Sequence, residues 1–317
     1  MTDFIPVNEP LLDGNEKKYL SECIDTGWIS SEGPFVKRFE EGFASRMGRK
    51  HGIAVTNGTA ALDAAVDSLG IGPGDEVITS PITFMATANC IRYQGAKVVF
   101  ADVEPDTLNI DPEKIKECLT PKTKAIIAVD FSGQPVNLDA IGKIAKDNNL
   151  ILIEDSAHAL GATYKNRLVG SIADMTTFSL HPVKHITTGE GGLVVTNDSK
   201  LAERLRRFRN HGINRDHHQR QKHGTWTYDM EELGYNYRLT ELNSVLGISQ
   251  LQKLPKLLER RRRIVVRYNE AFSNIKQLTP PAEFPDSKSS WHLYVIKLNL
   301  ESLTKDRDEI DRKSTRL

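Results

Sequence analysis

Residues 150–196 read LILIEDSAHALGATYKNRLVGSIADMTTFSLHPVKHITTGEGGLVVT. Three short apolar runs stand in this stretch: Leu150–Glu154, Met175–Leu180 and Gly192–Thr196. Runs of this length bounded by turn residues read as buried strands. Chemically capable side chains follow the first two. Asp155, Ser156 and His158 come after one; Lys184 and the turn Gly189-Glu190-Gly191-Gly192 come after the other, with Ser179 close to its end. Ligands of α/β sheets lie beyond the carboxyl ends of the strands, so one stretch predicts both a sheet and its site.

Upstream the same rhythm continues. Apolar runs at His51–Val55, Glu76–Thr79, Lys97–Ala101 and Lys124–Val129 alternate with helical patterns at Thr59–Leu69, Thr83–Tyr93, Asp111–Leu119 and Leu138–Asn148. Short strands alternating with helices predict right-handed crossovers and an α/β fold, a mainly parallel seven-stranded sheet sandwiched by helices. Gly70–Asp75 and Thr120–Lys124 are turn-rich connections. Past Arg238 the pattern changes. Leu239, Leu242, Val245, Leu246, Ile248, Leu251 and Leu254 recur at helical spacing, and Pro255 is expected to end that helix. A charged helix over Lys256–Ser273, a loop marked by Pro280, Pro281 and Pro285, a strand over Trp291–Leu298 and, at Asp306–Asp311, the start of a charged helix are expected next. The division predicted is a large α/β domain over 1–238 and a smaller C-terminal α+β domain over 239–317. One strand and a helix fragment make a poor sheet, so the smaller domain is expected to be truncated.

With 317 residues the chain has room for two such units. Hydrophobic residues at 39% and charged residues at 26% exclude a disordered polymer. Forty-two Lys and Arg balance 42 Asp and Glu, which argues against a general nucleic-acid binder. No apolar stretch approaches the roughly 20 residues of a spanning helix, and no basic-then-apolar leader opens the chain. Three widely spaced cysteines, Cys23, Cys90 and Cys118, form no close pair. A cytoplasmic, reducing location with no membrane contact is expected.

Each candidate site residue has an ordinary reading beside the chemical one. Asn57-Gly58-Thr59-Ala60 opens an Ala-rich helix; it is either a phosphate cradle or a plain N-cap. Asp155 at a strand end either holds a cation or protonated heterocycle, or caps a turn. Lys184 is either a desolvated nucleophilic amine or a solvated charge. His181 and His185 have the spacing of a helical metal pair, but Pro182 argues against a helix there, and no metal is expected. His211, His217, His218 and His223 lie in a polar segment without an organising carboxylate, and Arg260–Arg263 reads as a charged helix face. An acid, a hydroxyl, an amine and an anion cradle in this order suit pyridoxal 5'-phosphate: the acid for its ring nitrogen, the hydroxyl and helix start for its phosphate, the amine for a Schiff base.

The chain resembles the DegT-type nucleotide-sugar aminotransferases, which have the aspartate aminotransferase fold. The resemblance runs from Val7-Asn8-Glu9-Pro10 to about Leu298 and rests on Asn57-Gly58-Thr59-Ala60-Ala61-Leu62, Glu154-Asp155, Phe178-Ser179, the Lys184 loop and Gly234-Tyr235-Asn236-Tyr237-Arg238. It implies that Lys184 carries the cofactor and shuttles the proton, that Asp155 pairs with the ring nitrogen and that Phe84 stacks on the ring, where the plain alternative is a core aromatic. It also implies that His158 lies by the phenolic oxygen and that Thr59, Ala60 and Ser179 hold the phosphate. Asn236 would reach the cofactor of a neighbouring subunit, which implies a homodimer with shared active sites.

The substrates implied are L-glutamate and a nucleotide-linked keto sugar. Phe178–Lys184 and Ser289–Tyr294 are similar to pseudaminic-acid-pathway transaminases, which aminate C4 of a UDP-linked 4-keto-6-deoxy-N-acetylhexosamine. Asn8-Glu9-Pro10 and Gly27–Gly33 are similar to perosamine synthases, which use GDP-4-keto-6-deoxymannose. Some relatives carry histidine at the lysine position and are dehydratases, so Lys184 favours transamination, with His185 beside it. Two other classes compete: a non-catalytic sugar-nucleotide-binding regulator, which has no need of Lys184, and a histidine-based metalloenzyme, whose activity a chelator would remove.

Overall fold

The computed structural model describes residues 8–213 and 229–314. His217, His218 and His223, singled out above, lie outside the described residues, as do Val7 and residues 315–317. Two helices open the chain, α1 (Glu16–Asp25) and α2 (Pro34–Arg46). The alternation then follows: β1 (His51–Val55), α3 (Gly58–Asp67), β2 (Glu76–Thr79), α4 (Ala86–Tyr93), β3 (Lys97–Phe100), α5 (Pro112–Glu117), β4 (Thr123–Val129), α6 (Leu138–Asp147) and β5 (Ile151–Asp155). A short hairpin, β6 (Thr163–Tyr164) and β7 (Arg167–Leu168), precedes β8 (Met175–Ser179), β9 (Gly192–Thr196) and α7 (Ser199–Phe208).

All seven expected apolar runs are strands of one sheet, in the order β1-β9-β8-β5-β4-β2-β3. The pairs from β8 to β3 are parallel, while β9 runs antiparallel to both β1 and β8. Side chains alternate across the pleat. Ile53, Val55, Val77, Ile127, Ile153 and Val194 pack under α3, α4 and α7. On the other face Ile78, Ile126 and Leu152 meet α5 and α6, and Ala54, Leu193 and Val195 meet α2 and a long later helix. Near-continuous apolar strands are what two covered faces require.

The expected break at Pro255 is absent: one helix runs from Glu241 to Phe272, 32 residues. Proline removes one backbone hydrogen bond and crowds the preceding turn, at roughly 3 kcal/mol. Leu254 and Leu258, on either side of it, are buried in the core with Leu160, Phe178 and Ile186, and that burial outweighs the penalty. The expected strand over Trp291–Leu298 shrinks to Lys297–Leu298 (β12), paired with Leu278–Thr279 (β10). The remainder is an anchored loop in which Leu293 N–H donates to Ser132 O and Trp291 has φ +53°. Ser287–Lys288 (β11) joins β6 and β7 in a small sheet, and Arg307–Ser314 is a last short helix. Among the described residues no helix is long and apolar enough to cross a membrane.

The long helix is tied to the first two helices by buried acids. The Glu241 carboxylate accepts from the N–H groups of Gly33, Phe35 and Val36, at 2.9, 2.7 and 3.2 Å, capping α2. Glu16 in α1 accepts from Gln250 Nε2 at 2.8 Å and Gly14 N–H at 2.7 Å, and pairs with Lys253 at 2.6 Å. Burial alone would raise the Glu16 carboxyl; the bonds from Lys253, its own amide, Gln250 and Gly14 outweigh it and bring the pKa down to about 2. A carboxyl depressed in the folded state stabilises above its unfolded value and loses that contribution as pH falls towards its folded one. Acid unfolding followed by circular dichroism should therefore show on the order of 2–3 kcal/mol of stability lost between about pH 4.5 and 2. Glu16→Gln should lack that component and be less stable at pH 7.

Candidate active site

The strand ends on one side of the sheet open into a cavity of about 530 Å³, within the usual range for a small-molecule site. Three backbone features shape it. Asn57 caps α3, its Oδ1 accepting from Ala60 N–H at 2.8 Å. Gly58 begins that helix on the cavity, where a Cβ would stand 2.9 Å from the Cβ of Ser179. Gly192 starts β9 so close to Asn57 that a Cβ would lie 2.2 Å from the Asn57 carbonyl oxygen. Glycine at both positions lets the start of α3 touch the end of β8.

Glu154 and Asp155 are adjacent, so they point to opposite faces of β5. Glu154 is fully buried and accepts from Gly170 N–H and Thr176 Oγ1, a structural acid. Asp155 lines the cavity. Its Oδ2 accepts from Thr87 Oγ1 at 2.7 Å and its Oδ1 from Ala157 N–H at 3.2 Å. Burial raises its carboxyl above the usual range, against the pull of the Thr87 and Ala157 bonds and the Lys184 charge. A carboxylate in that setting is stabilised by any further cation brought to it.

Lys184 sits on the loop between β8 and β9, its N–H donating to His181 O at 2.9 Å. The loop is clamped by Thr188 N–H and Thr187 Oγ1, both donating to Leu180 O, and by Asn243 Nδ2 donating to Thr188 O. Asn8 Nδ2 donates to Pro182 O at 2.8 Å. The Lys184 side chain lines the cavity, where the charge of Asp155 acts on its amine. Burial lowers its pKa, opposed by the charge of Asp155. That combination makes a reactive amine. His185, next in sequence, points away: it is buried, donates from Nε2 to Ser290 O at 3.1 Å, and burial brings it down to about 3.

The structure brings Thr59, Phe84, Asp155, His158, Ser179 and Lys184 to one cavity. Phe84 is 66% exposed at its edge, which removes the core-aromatic alternative. Ala60 lies one step inside, buried, with its amide already bonded to Asn57, so the start of α3 presents Gly58 and Thr59 to the cavity. Asn236 is exposed and is not part of the cavity wall of its own chain; its backbone bridges to Asn210. His211 is exposed as well, apart from the cavity. Sequence reasoning missed Thr87 and Thr177. Thr87 sits on a helix whose pattern announces only burial. Thr177 alternates inside an apolar strand, and its buried hydroxyl on the cavity has no hydrogen-bond partner among the described residues.

These groups fit pyridoxal phosphate on their own terms. A buried carboxyl suits a ring nitrogen, and a free amine a carbonyl. The Gly58 and Thr59 amides at the start of α3, with the Ser179 hydroxyl, suit a phosphate, and Phe84 a ring face. Among the described residues no group of three or more His, Cys, Asp or Glu is arranged to hold a metal ion.

Known proteins share both sequence and fold. The chain is 42% identical over 308 residues to the spore coat polysaccharide biosynthesis protein SpsC of Bacillus subtilis, covering 97% of this chain and 79% of that protein. It is 41% identical to the GDP-perosamine synthase of Caulobacter vibrioides, covering 96% and 80%. Among solved structures it matches Helicobacter pylori PseC, an aminotransferase involved in the biosynthesis of pseudoaminic acid, with TM-score 0.86 and 34% identity over 98% of this chain and 80% of that one. Residues 10–315 match the DegT/DnrJ/EryC1/StrS aminotransferase family. The chain therefore belongs to that family and is a pyridoxal-phosphate-dependent sugar aminotransferase.

Proposed function

We propose that this enzyme moves the amino group of L-glutamate to the C4 ketone of a nucleotide-linked 4-keto-6-deoxy sugar, UDP-4-keto-6-deoxy-N-acetylhexosamine, in surface-glycan biosynthesis. The observation that carries the reading is a desolvated amine, Lys184, sharing one cavity with a buried carboxyl, Asp155, and the open start of α3. The bound cofactor supplies an electron sink for the carbon that loses its proton. Asp155 holds a positive charge at the ring nitrogen and so keeps that sink strong. Gly58, Thr59 and Ser179 hold the phosphate, and Phe84 covers the ring. Lys184 Nζ removes the proton from the carbon bearing the amino group and returns it in the reverse half-reaction. Its lowered pKa keeps more of the amine uncharged at neutral pH, the form that accepts a proton. Asn236, exposed and outside its own cavity, serves the cavity of a second copy in a homodimer.

The UDP sugar is favoured by Phe178–Lys184 and Ser289–Tyr294 in this sequence and by the likeness to PseC. The 41% and 38% identities to GDP-perosamine synthases favour a second reading, GDP-4-keto-6-deoxymannose. Both ketones offered to the enzyme with L-glutamate decide between them. Faster amination of the UDP sugar supports the first reading, and turnover of the GDP sugar alone replaces it with the second.

Purified protein loaded with pyridoxal phosphate should show a visible band that L-glutamate bleaches. Lys184→Ala should lose turnover by on the order of 10²–10⁴-fold. A folded wild type that takes up no cofactor, or a Lys184→Ala variant with full activity, would overturn the assignment. Thr87→Val removes a charge-assisted hydrogen bond to Asp155, worth about 1.5–3 kcal/mol. Cofactor titration of that variant should show affinity weakened by roughly tenfold or more, with the fold retained.

A further inference from the structure

Behind the cavity three imidazoles meet. His158 follows β5, His185 follows Lys184, and His292 arrives on the 289–293 loop. The ring centroids of His158 and His292 are 4.5 Å apart, and those of His185 and His292 are 5.5 Å apart. Each ring has a buried Nδ1 without a hydrogen-bond partner among the described residues. An unpaired buried polar atom costs about 1–3 kcal/mol. Hydrogen bonding through Nδ1 is therefore not what holds these rings together; contact between the rings is, beside the bond from His185 Nε2 to Ser290 O.

The loop that delivers His292 is fastened to the reactive segments themselves. Ser290 N–H donates to Gly133 O at 3.0 Å, and Ser290 Oγ to His158 O at 3.0 Å. The Ser290 carbonyl accepts from His185 Nε2, and Leu293 N–H donates to Ser132 O at 3.2 Å. Arg261, from the long helix, donates through Nη1 to the carbonyls of Trp291 and His292, at 3.1 and 3.3 Å. Trp291 is held at φ +53°, a left-handed conformation that a bulky side chain adopts only under constraint. Strain in the backbone just before His292 marks a placement that the surrounding contacts enforce.

We propose that His292 is a positioning residue of the reaction site: its ring, packed against both His158 and His185, holds His158 in place at the cavity wall and ties that placement to the 289–293 loop. The charged and titratable groups facing His292 are His158, Lys184, His185 and Arg261, all cationic when protonated. Burial first, and these neighbours second, push His292 far below the ordinary imidazole value, and His158 falls to about 3. The rings act as uncharged plates.

The inference rests on the cofactor reading above, and the experiment separates the two. His292→Ala, His292→Phe and His292→Gln are loaded with pyridoxal phosphate beside wild type. Glutamate turnover, cofactor uptake and the pH titration of the visible band are measured for each. His292→Ala should bind cofactor yet lose kcat by on the order of tenfold to a hundredfold. Its KM for glutamate should stay within about threefold, and the midpoint of its band titration should move. His292→Phe, which keeps a ring and lacks Nδ1, should restore kcat to within about threefold of wild type, and His292→Gln should not. If His292→Ala fails to fold, the Phe and Gln variants decide: equal kcat overturns the inference. A wild type that takes up no cofactor overturns both readings, whereas a reactive wild type matched by His292→Ala in band, midpoint and kcat overturns only this one.

Discussion

A carboxyl group has been taken out of water at the end of β5, and the site is arranged around that cost. Asp155 is 4% exposed, and among the described residues its carboxyl accepts two hydrogen bonds, from Thr87 and Ala157. Those bonds do not return its pKa to the usual range, because its burial outweighs them. A site in this condition has unspent affinity for a positive charge. The same desolvation acts on Lys184 in the opposite sense, making its charged form less favoured. One pocket thus holds an acid that favours a nearby cation and an amine that is more readily uncharged, two features suited to Schiff-base chemistry on a protonated heterocycle.

The sheet makes the juxtaposition without long loops. Parallel pairing of β5 with β8 brings both carboxyl ends to one edge, so Asp155 emerges beside Thr177, and Ser179 follows two residues further along β8. Because β9 turns back antiparallel along β8, the intervening loop must stay over that edge, and Lys184 is carried with it. Gly58 and Gly192 then let the start of α3 close against the loop's base. Strand direction supplies the coarse position, and absent side chains supply the last ångströms.

The sheet was legible because each of its strands is an apolar run bracketed by turn residues, and this signal survives in a single sequence. The site's anchors were legible for a related reason: Asp155 and Ser179 lie at strand ends, where chemistry follows from position. Thr87 and Thr177 were not, since a threonine in a helix or strand pattern reads as filler until its neighbours across the fold are known. Pro255 misled because a local penalty is visible in sequence, whereas the burial of Leu254 and Leu258 that overrides it is tertiary. Trp291–Leu298 misled in the other sense. Its apolar character is real, but Ser290 and Leu293 spend their amides on Gly133 and Ser132 instead of on a strand partner. Ala60 shows a finer limit: the motif predicts a cradle, while only the hydrogen bond to Asn57 reveals which of its amides are already used.

The unbroken helix Glu241–Phe272 gives these pieces a common frame. Near its start Glu241 caps α2 and Asn243 holds the carbonyl of Thr188 in the Lys184 loop. Some five turns later Arg261 grips the 289–293 loop that lies against His158 and His185. A break at Pro255 would leave these two sets of contacts free to move against each other. Continuity through the proline, held by burial of the leucines around it, ties the lysine loop and the histidine cluster to one helix. Core packing at Leu254 and Leu258 therefore supports the placement of the cavity's loops as well as stability, although neither leucine lines the cavity.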